Sequence, residues 1–321
     1  MDICKHKELC GGCIHQGKSY EQLEEKGNDV SMLISKKEIK VGEYLGIQGS
    51  PAQYRYRNKM EYTFGDTVKD GPLCLGMHRK KHFMSIVTVD ECQLVPEDFN
   101  RILSAVLGFC QEKGYSFYHK KSHEGLLRHL IIRYGVRTGE LLVNIVTSSQ
   151  GEFDDKGFTE MITALELDNR VVGVLRTIND RLADAVYCEE LKVLWGRDYY
   201  MEKIMGLDFK VSAFSFFQTN VEAAERLYTE AIDLIDDFED KNVFDLYCGT
   251  GTITQALALK AKTVTGVELV SEAVEAAKEN AKLNGLDNCS FIAGDVFEVL
   301  EKLEQKPDVI VVDPPRVGIQ P

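Results

Sequence analysis

The stretch Asn242-Val-Phe-Asp-Leu-Tyr-Cys-Gly-Thr-Gly-Thr252 decides the fold of the carboxyl-terminal half. Its first six residues are typical of a buried strand, and the glycines at 249 and 251 predict a tight turn into a helix. Three further apolar runs follow at 263–268, 290–295 and 308–313, separated by helix-like segments. Because strands that alternate with helices build parallel, doubly wound sheets, we predict an α/β fold here.

Glycines and carboxylates stand where the first three predicted strands end. Gly249 and Gly251 let the backbone approach a ligand closely. Glu268 ends the second strand, where a carboxylate can accept hydrogen bonds from both hydroxyls of a ribose, and Asp295 ends the third, near the position of an adenine edge. Since ligands of such sheets bind beyond the carboxyl ends of the strands, this ordered set predicts a nucleoside-containing cofactor.

Two features favour S-adenosylmethionine over NAD as that cofactor. Thr254 stands where the dinucleotide-binding pattern requires its third glycine. The fourth strand ends in Asp313-Pro314-Pro315-Arg316, whose prolines stop the strand and present Asp313 rigidly. Methyl transfer is an in-line displacement that depends on alignment, so a rigid strand end suits a methyl donor.

Composition and charge limit the class of protein. The 321 residues are 44% hydrophobic and 28% charged, which is typical of a globular protein. The sequence contains no apolar run of the ~20 residues that a membrane span needs and begins with no signal peptide, so we expect a cytoplasmic protein without a membrane partner. The sequence indicates no obligate protein partner.

The net charge of −13 is unevenly spread along the chain. Residues 51–137 carry +5 and residues 138–321 carry −17, so a polyanion could bind the middle of the chain. In the middle, Tyr54-Arg55-Tyr56-Arg57-Asn58-Lys59 alternates aromatic and basic residues. This pattern fits stacking on unpaired bases and equally fits a strand with its tyrosines in the core. The run His78–His82 is interpreted as a solvated turn between strands.

Three of the nine cysteines lie close together at Cys4, Cys10 and Cys13, with Gly11 and Gly12 between the last two. Thiolates at this spacing can point at one soft metal ion or cluster. A fourth ligand is needed, and the candidates are Cys74, Cys92, Cys110, His6 and His15. Both a [4Fe–4S] cluster and tetrahedral zinc suit such a set, and the spacing does not decide between them.

The pattern of predicted elements suggests three segments. Residues 1–50 form a cluster-binding segment, and residues 51–210 form a β-rich α+β domain that contacts RNA and has one clear helix, at 100–113. Residues 211–321 form an incomplete Rossmann-like cofactor-binding domain.

Together these motifs resemble a known family. In order along the chain they are Cys4-x5-Cys10-Gly-Gly-Cys13, Phe216-Phe-Gln-Thr-Asn220, Asp245-Leu-Tyr-Cys-Gly-Thr-Gly251, Gly266-Val-Glu268 and Asp313-Pro-Pro-Arg316. The series resembles the bacterial iron–sulfur-containing 23S rRNA (uracil-5)-methyltransferases, relatives of the tRNA uracil-5 methyltransferases, over nearly the whole chain.

The resemblance assigns site residues. It implies a [4Fe–4S] cluster, favoured over zinc, on four cysteines: Cys4, Cys10, Cys13 and Cys92. It also implies S-adenosylmethionine contacts from a second set: Gln218, Tyr247, Glu268 and Asp313, with Asp295 on the adenine and Gly249, Gly251 and Thr252 in the cofactor turn. Phe216 or Phe217 is expected to stack near a flipped-out uracil, unless the pair packs beneath the helix that begins at Thr219.

The family reaction needs a cysteine nucleophile and a glutamate base, and the resemblance places both after Arg316, beyond residue 321. Cys188, Cys248 and Cys289 lack the expected context. We therefore expect a truncated family member, without the usual amino-terminal RNA-binding barrel, that is inactive as it stands and has no catalytic residue within it. The expected partner is RNA, most of all 23S rRNA. The alternatives are a tRNA uracil-5 methyltransferase, a non-catalytic iron–sulfur protein that binds S-adenosylmethionine and RNA, and a zinc-bearing methyltransferase for another substrate.

Overall fold

The computed structural model describes residues 3–14, 20–314 and 318–319. The chain divides into two compact units, each assembled from separate stretches of sequence. Unit 1 takes Met1–Ile132, Asn144–Asp168 and Arg176–Leu194. Unit 2 takes Arg133–Val143, Asn169–Leu175 and Trp195–Pro321. The predicted segments 1–50, 51–210 and 211–321 follow sequence order instead, and they stay a prediction.

A seven-stranded sheet is built from strands within the described residues. Its strands are β1 (Lys59–Asp66), β2 (Leu73–Arg79), β3 (His82–Thr88), β4 (Leu127–Gly135), β5 (Glu140–Thr147), β6 (Arg170–Ile178) and β7 (Glu190–Gly196). They lie in the order β3-β2-β1-β4-β5-β6-β7, and β1–β2 and β2–β3 pair antiparallel. The predicted β-rich middle of the chain is present.

The apolar runs 130–134 and 140–146, separated by Thr138-Gly139, predict a hairpin, and it is confirmed in the centre of this sheet. Strands β4 and β5 are neighbours, and the turn between them contains Thr138 and Gly139. Gly139 has a φ of 66°, a left-handed conformation that glycine adopts without strain. All eight residues of β5 are buried, as expected for a central strand rich in leucine, isoleucine and valine.

Three helices accompany these strands within the described part of the chain: α1 (Gln22–Lys36), α2 (Glu97–Glu112) and α3 (Asp155–Thr163). The sequence predicts α2 at 100–113, and the helix begins earlier because Pro96 is extended and two acidic residues occupy the first turn. Helices α1 and α3 were not predicted from the sequence. In the described ranges, no helix is both long and apolar enough to cross a bilayer.

Unit 2 contains the parallel sheet that the sequence predicts. Its strands are β10 (Asn242–Leu246), β11 (Thr263–Glu268), β12 (Cys289–Ala293) and β13 (Val309–Val312), after a hairpin of β8 (Tyr199–Ile204) and β9 (Leu207–Ser212). Its helices are α4 (Val221–Asp233), α5 (Thr252–Ala258), α6 (Ser271–Leu283) and α7 (Val296–Lys302). The sheet order is β12-β11-β10-β13, all parallel, so the α/β class and the Rossmann-like fold of this unit are confirmed.

The pattern Thr219-Asn-Val-Glu222 predicts a helix cap at Thr219, and Ser271 is predicted to cap the helix after Glu268. Both predictions are wrong in detail. The capping residue of α4 is Asn220, one residue after the predicted Thr219, and its Oδ1 accepts from the N–H of Ala223 at 3.1 Å. Ser271 does not cap α6, because the cap position belongs to Val270. The N–H of Val270 donates to Glu268 Oε1 at 2.9 Å, so the strand-end glutamate satisfies the donor at the start of this helix.

Helix α6 holds the edge of the β8–β9 hairpin through two asparagines. The amide oxygen of Asn280 accepts from the N–H of Lys210, and that of Asn284 accepts from the N–H of Asp208, both at 2.8 Å. The amide nitrogen of Asn284 also donates to the carbonyl of Asp208 at 2.8 Å. Residues four apart on a helix share a face, so these side chains pair with alternate residues of β9 as a neighbouring strand would.

Candidate functional site

The turn after β10 has a backbone that few residue types adopt. Tyr247, Gly249 and Gly251 all have left-handed conformations, with φ values of 67°, 55° and 76°. A Cβ at Gly251 would lie 2.7 Å from Phe291 Cε1, so that position requires glycine for space as well as for conformation. A Cβ at Gly249 would meet no heavy atom within 4 Å. The backbone at Gly249 therefore faces open space that a ligand can enter.

Glu268 lies beside this turn at the end of β11. Its Oε2 accepts from the N–H of Gly249 at 3.1 Å, and its Oε1 accepts from the N–H of Val270 at 2.9 Å. Neighbouring parallel strands end at the same edge of a sheet, which is why residues 19 apart in sequence meet here. The structure thus brings together the glycine turn and the carboxylate that the sequence predicts to bind a ribose.

Asp245 lies beneath the turn and is completely buried. Its Oδ2 accepts from the hydroxyl of Thr254 at 2.6 Å, while Oδ1 has no hydrogen-bond partner among the described residues. Burial raises the pKa of Asp245 to about 7, and the charges of Asp313 and Glu268 also raise it. A second donor at Oδ1, from a ligand or a water, would therefore stabilise the ionised form.

Gln218 reaches the same site from the segment before α4. Its side chain forms a hydrogen bond with that of Tyr228, a buried residue whose pKa is raised to about 12 mainly by burial. The charges of Asp313 and Asp245 both act on Tyr228, so these four side chains lie near one another. Tyr228 was not predicted as a site residue. Its position on the buried face of an amphipathic helix could have indicated it.

The remaining predicted cofactor residues flank the site. Thr252 begins α5, and Asp313 directly follows β13 and is exposed. Asp295 caps α7, since its Oδ1 accepts from the N–H groups of Phe297 at 3.0 Å and Glu298 at 3.3 Å. It lies two residues after the end of β12, so it starts the following helix instead of ending the strand as predicted. Arg316 lies outside the described residues.

The two phenylalanines before Gln218 have different environments. Phe217 is buried and packs on Phe209, with ring centroids 5.9 Å apart. Phe216 is 68% exposed. The core-packing alternative therefore holds for Phe217, and Phe216 is the ring that can contact a ligand.

The four predicted metal ligands lie within electrostatic reach of one another in unit 1. Burial raises the pKa of Cys13 to about 11, and the charges of Cys92, Cys10 and Cys4 raise it further. Burial likewise raises the pKa of Cys10 and of Cys92, and each of these thiols is affected by Cys4. These charge effects show that the four thiols lie in the same part of unit 1.

Three of the other candidates for the fourth ligand lie within the described residues. Cys110 is buried, with a pKa raised to about 12 by burial alone, and Cys74 contacts Thr67 and Pro72. His6 Nε2 lies 3.2 Å from Asp90, and His15 is outside the described residues. Among residues 3–14, 20–314 and 318–319, no three His, Cys, Asp or Glu side chains are grouped as ligands of one metal ion.

Three cysteines outside that set are possible nucleophiles by residue type. Cys248 is buried, and burial raises its pKa far above the usual range. Burial raises the pKa of Cys289 to about 11, and that of the exposed Cys188 is also raised. Because the thiolate is the reactive form, none of these thiols is activated.

Comparison with known proteins identifies the kind of domain. A family model described as a methyltransferase domain matches residues 237–315, which include the glycine turn, Glu268 and Asp313.

Relatives match almost the whole chain. A Clostridium tetani protein named an uncharacterized RNA methyltransferase is 51% identical over 313 residues, covering 97% of this chain and 69% of the relative. Similarly named proteins of Caldanaerobacter subterraneus subsp. tengcongensis and Clostridium acetobutylicum are 51% and 50% identical. Each match covers 99% of this chain, and 71% and 70% of the relative, respectively.

A solved structure has a similar fold. The crystal structure of the Pyrococcus abyssi tRNA (uracil-54, C5)-methyltransferase in complex with S-adenosyl-L-homocysteine matches with a TM-score of 0.77 and 26% identity. The match covers 98% of this chain and 72% of that one.

The buried carboxyl of Asp245 predicts a pH dependence of stability. With its pKa raised to about 7 from the ordinary 3.8, the folded protein holds this proton more tightly than the unfolded chain does. The Asp245 contribution to the free energy of unfolding should therefore fall as the pH rises from about 4 to about 7, by about 2–4 kcal/mol, and stay constant above. The Asp245→Asn variant keeps an acceptor for Thr254 and should lose this decline.

The measurement is urea unfolding of both proteins between pH 4.5 and pH 8, values chosen to bracket about 7. Asp287→Asn, at an exposed position, is the matched control and should follow the wild type. Equal pH profiles for Asp245→Asn and the wild type would contradict the assignment.

Proposed function

Since the chain belongs to the RNA methyltransferase family of these relatives, we propose that it serves transfer of a methyl group from S-adenosylmethionine to C5 of uracil in RNA, 23S rRNA above all. The observation that carries the proposal is the contact of Gly249 with Glu268 at the carboxyl edge of the parallel sheet. Support for uracil comes from the structural likeness to a tRNA (uracil-54, C5)-methyltransferase and from the order of the sequence motifs.

The chain's own residues suggest how the cofactor is held. The open backbone at Gly249 and the turn through Gly251 admit the cofactor, and Glu268 accepts from the ribose hydroxyls while it keeps its two backbone donors. The capping bonds of Asp295 both use Oδ1, so its Oδ2 is assigned to the adenine. Gln218, Tyr247, Thr252 and Asp313 complete the proposed set. When bound, S-adenosylmethionine supplies an electrophilic methyl group on a sulfonium.

Uracil C5 alone is too weak a nucleophile for this transfer. In the proposed reaction a cysteine thiolate would add to C6. The electron pair that develops at C5 would then form the bond to the methyl group while the bond between that methyl group and the sulfonium sulfur breaks and S-adenosylhomocysteine leaves. A base then removes the C5 proton, and the C6–S bond breaks to release the thiolate. None of Cys188, Cys248 and Cys289 suits this role, and the resemblance to the (uracil-5)-methyltransferases places the nucleophile and the base after Arg316, beyond residue 321. Residues 1–321 by themselves are then expected to bind the cofactor without methylating.

The target base must leave its stack to meet the cofactor, which favours loops of RNA. Phe216 is the exposed ring next to Gln218 and suits a stacking contact with such a base. A tRNA substrate is the second candidate, because the structural neighbour is named for tRNA.

We also propose that Cys4, Cys10, Cys13 and Cys92 hold a [4Fe–4S] cluster. The charge effects of neighbouring cysteines on the pKa values of Cys10, Cys13 and Cys92, and the soft character of four thiolates, support it. The N–H of Gly12 lies 3.3 Å from Cys10 Sγ and donates to it, a contact that stabilises a thiolate.

Nucleoside analysis tests the reaction. We expect 23S rRNA from a strain that lacks the gene to contain less 5-methyluridine than 23S rRNA from the parent, measured by mass spectrometry of purified RNA. A loss confined to tRNA would favour the second candidate. Unchanged 5-methyluridine in both RNAs would contradict the proposal.

Replacement of Glu268 tests the cofactor site. We expect Glu268→Ala to raise the Kd for S-adenosylhomocysteine about 10- to 100-fold, because hydrogen bonds to a charged carboxylate are removed. Isothermal titration calorimetry measures this directly. Glu272→Ala removes an exposed carboxylate from the first turn of α6 and should bind as the wild type does. Equal affinity of the wild type and Glu268→Ala would refute the ribose assignment.

Metal analysis tests the cluster. Protein purified without oxygen should contain iron and acid-labile sulfide in equal amounts, and Cys13→Ala should lose both. Cys188→Ser, which changes an exposed cysteine, should retain both. Zinc without sulfide in the wild type would exclude the iron–sulfur proposal and support the zinc alternative.

A further inference from the structure

One large aromatic ring in unit 1 is held in solvent instead of in the core. Phe83 lies on β3, the edge strand of the seven-stranded sheet, and is 67% exposed. Its ring stacks on His78 with centroids 5.2 Å apart and an angle of 7° between the planes. Lys120 Nζ lies 4.4 Å from the centre of the same ring. These neighbours fix the orientation of a ring whose surface is mostly free to contact a partner.

Further cations lie close in sequence to this ring and to Lys120. The β2–β3 turn contributes Arg79 and Lys81, and Lys121 follows Lys120. None of Arg79, Lys81 and Lys121 forms an ion pair with a carboxylate among the described residues. Because Lys120 is paired with Asp184, it helps to orient the ring but offers little free positive charge to a partner. In a chain of net charge −13, this is a local concentration of unpaired positive charge.

The turn is fixed by hydrogen bonds to the amino-terminal segment of the same unit. The N–H of Lys80 donates to the carbonyl of Leu9, and the N–H of Gly11 donates to the carbonyl of His78, both at 2.8 Å. Lys80 Nζ donates to the carbonyl of Lys7 at 2.7 Å. A surface that is rigid before binding loses less entropy when a partner arrives.

A loop of unit 1 contacts the two neighbours of the ring, His78 and Lys120, through Asp184. The loop around Asp184 is held by the buried Arg128, whose guanidinium donates to the carbonyls of Asn179, Arg181 and Ala183 at 2.7–2.8 Å. Besides pairing with Lys120, Asp184 lies 4.0 Å from His78 Nε2. The loop carries another stacked pair, with the guanidinium of Arg181 4.3 Å from the ring centre of Tyr187.

We propose that this surface binds single-stranded RNA, with a base stacked on Phe83 and phosphates at Arg79, Lys81 and Lys121. A nucleotide combines a flat π face with a negative charge, which is the combination that an oriented ring flanked by free cations recognises. An acidic peptide would meet the cations but leave the ring without a matching plane. This inference rests on the proposed function. It assigns a substrate contact to the β2–β3 turn, whose sequence predicts only a solvated turn.

Equilibrium binding to a fluorescent, unstructured RNA oligonucleotide tests the inference with the complete gene product. Phe83→Leu keeps an apolar side chain but removes the ring, and it should weaken binding about 5- to 150-fold with an unchanged salt dependence. Arg79→Gln combined with Lys81→Gln should lower the slope of log Kd against log salt by about 0.7 for each phosphate that is no longer neutralised. Two matched controls lie in unit 2 and should bind as the wild type does. Trp195→Leu is the control for loss of an aromatic ring, and Lys260→Gln with Lys262→Gln is the control for loss of two cations.

The outcomes separate this inference from the proposed function. If the wild type binds the oligonucleotide and Phe83→Leu binds equally well, the stacking surface is refuted, whatever the nucleoside analysis shows. Displacement of the RNA by polyglutamate with equal effect on the wild type and Phe83→Leu would assign the surface to an acidic protein partner and also refute it. Crosslinking of 5-iodouridine in the oligonucleotide to a peptide that contains Phe83 would confirm it independently of any loss of folding in the variants.

Discussion

The hydrogen bond from the N–H of Gly249 to the carboxylate of Glu268 joins the ends of two neighbouring strands, and the geometry of the cofactor site depends on it. The bond forms because β10 and β11 are parallel and in register, with Leu246 opposite Val267. It also requires the left-handed backbone at Tyr247, Gly249 and Gly251. The other oxygen of Glu268 receives the first donor of α6, so one side chain positions a turn, a strand end and a helix.

The elements that could be predicted from the sequence are those whose local residue pattern is the one that their place in the fold requires. Strands β10 to β13 are short apolar runs bounded by glycines or carboxylates, and buried parallel strands have that pattern whatever surrounds them. Glu268 could be predicted because the end of a parallel strand has a fixed place in such a sheet. Helix α1 was not predicted, because Gly27, Asn28 and Asp29 in its centre have low helix propensity, and none of its residues is buried in the structure.

Other features depend on contacts that sequence spacing does not encode. Asn280 and Asn284 look like ordinary polar positions on a helix, yet they pair with the backbone of β9. The capping role of Asp295 and the burial of Phe217 beside the exposed Phe216 likewise follow from where neighbouring elements lie. The charge of the turn His78–His82 predicts only solvation, because its hydrogen bonds to residues 9–11 come from a segment distant in sequence.

The discontinuous make-up of the units has a consequence for synthesis on the ribosome. Unit 1 includes Arg176–Leu194, so its last stretch leaves the exit tunnel only after parts of unit 2 at Arg133–Val143 and Asn169–Leu175 have emerged. Neither unit can finish folding before parts of the other unit have been translated, whereas a domain made of one continuous stretch can. The four described strands of the parallel sheet of unit 2, by contrast, lie in one continuous stretch, Asn242–Val312, and can associate as a late, local event. Folding of this protein during translation therefore waits for stretches that lie far apart in the sequence.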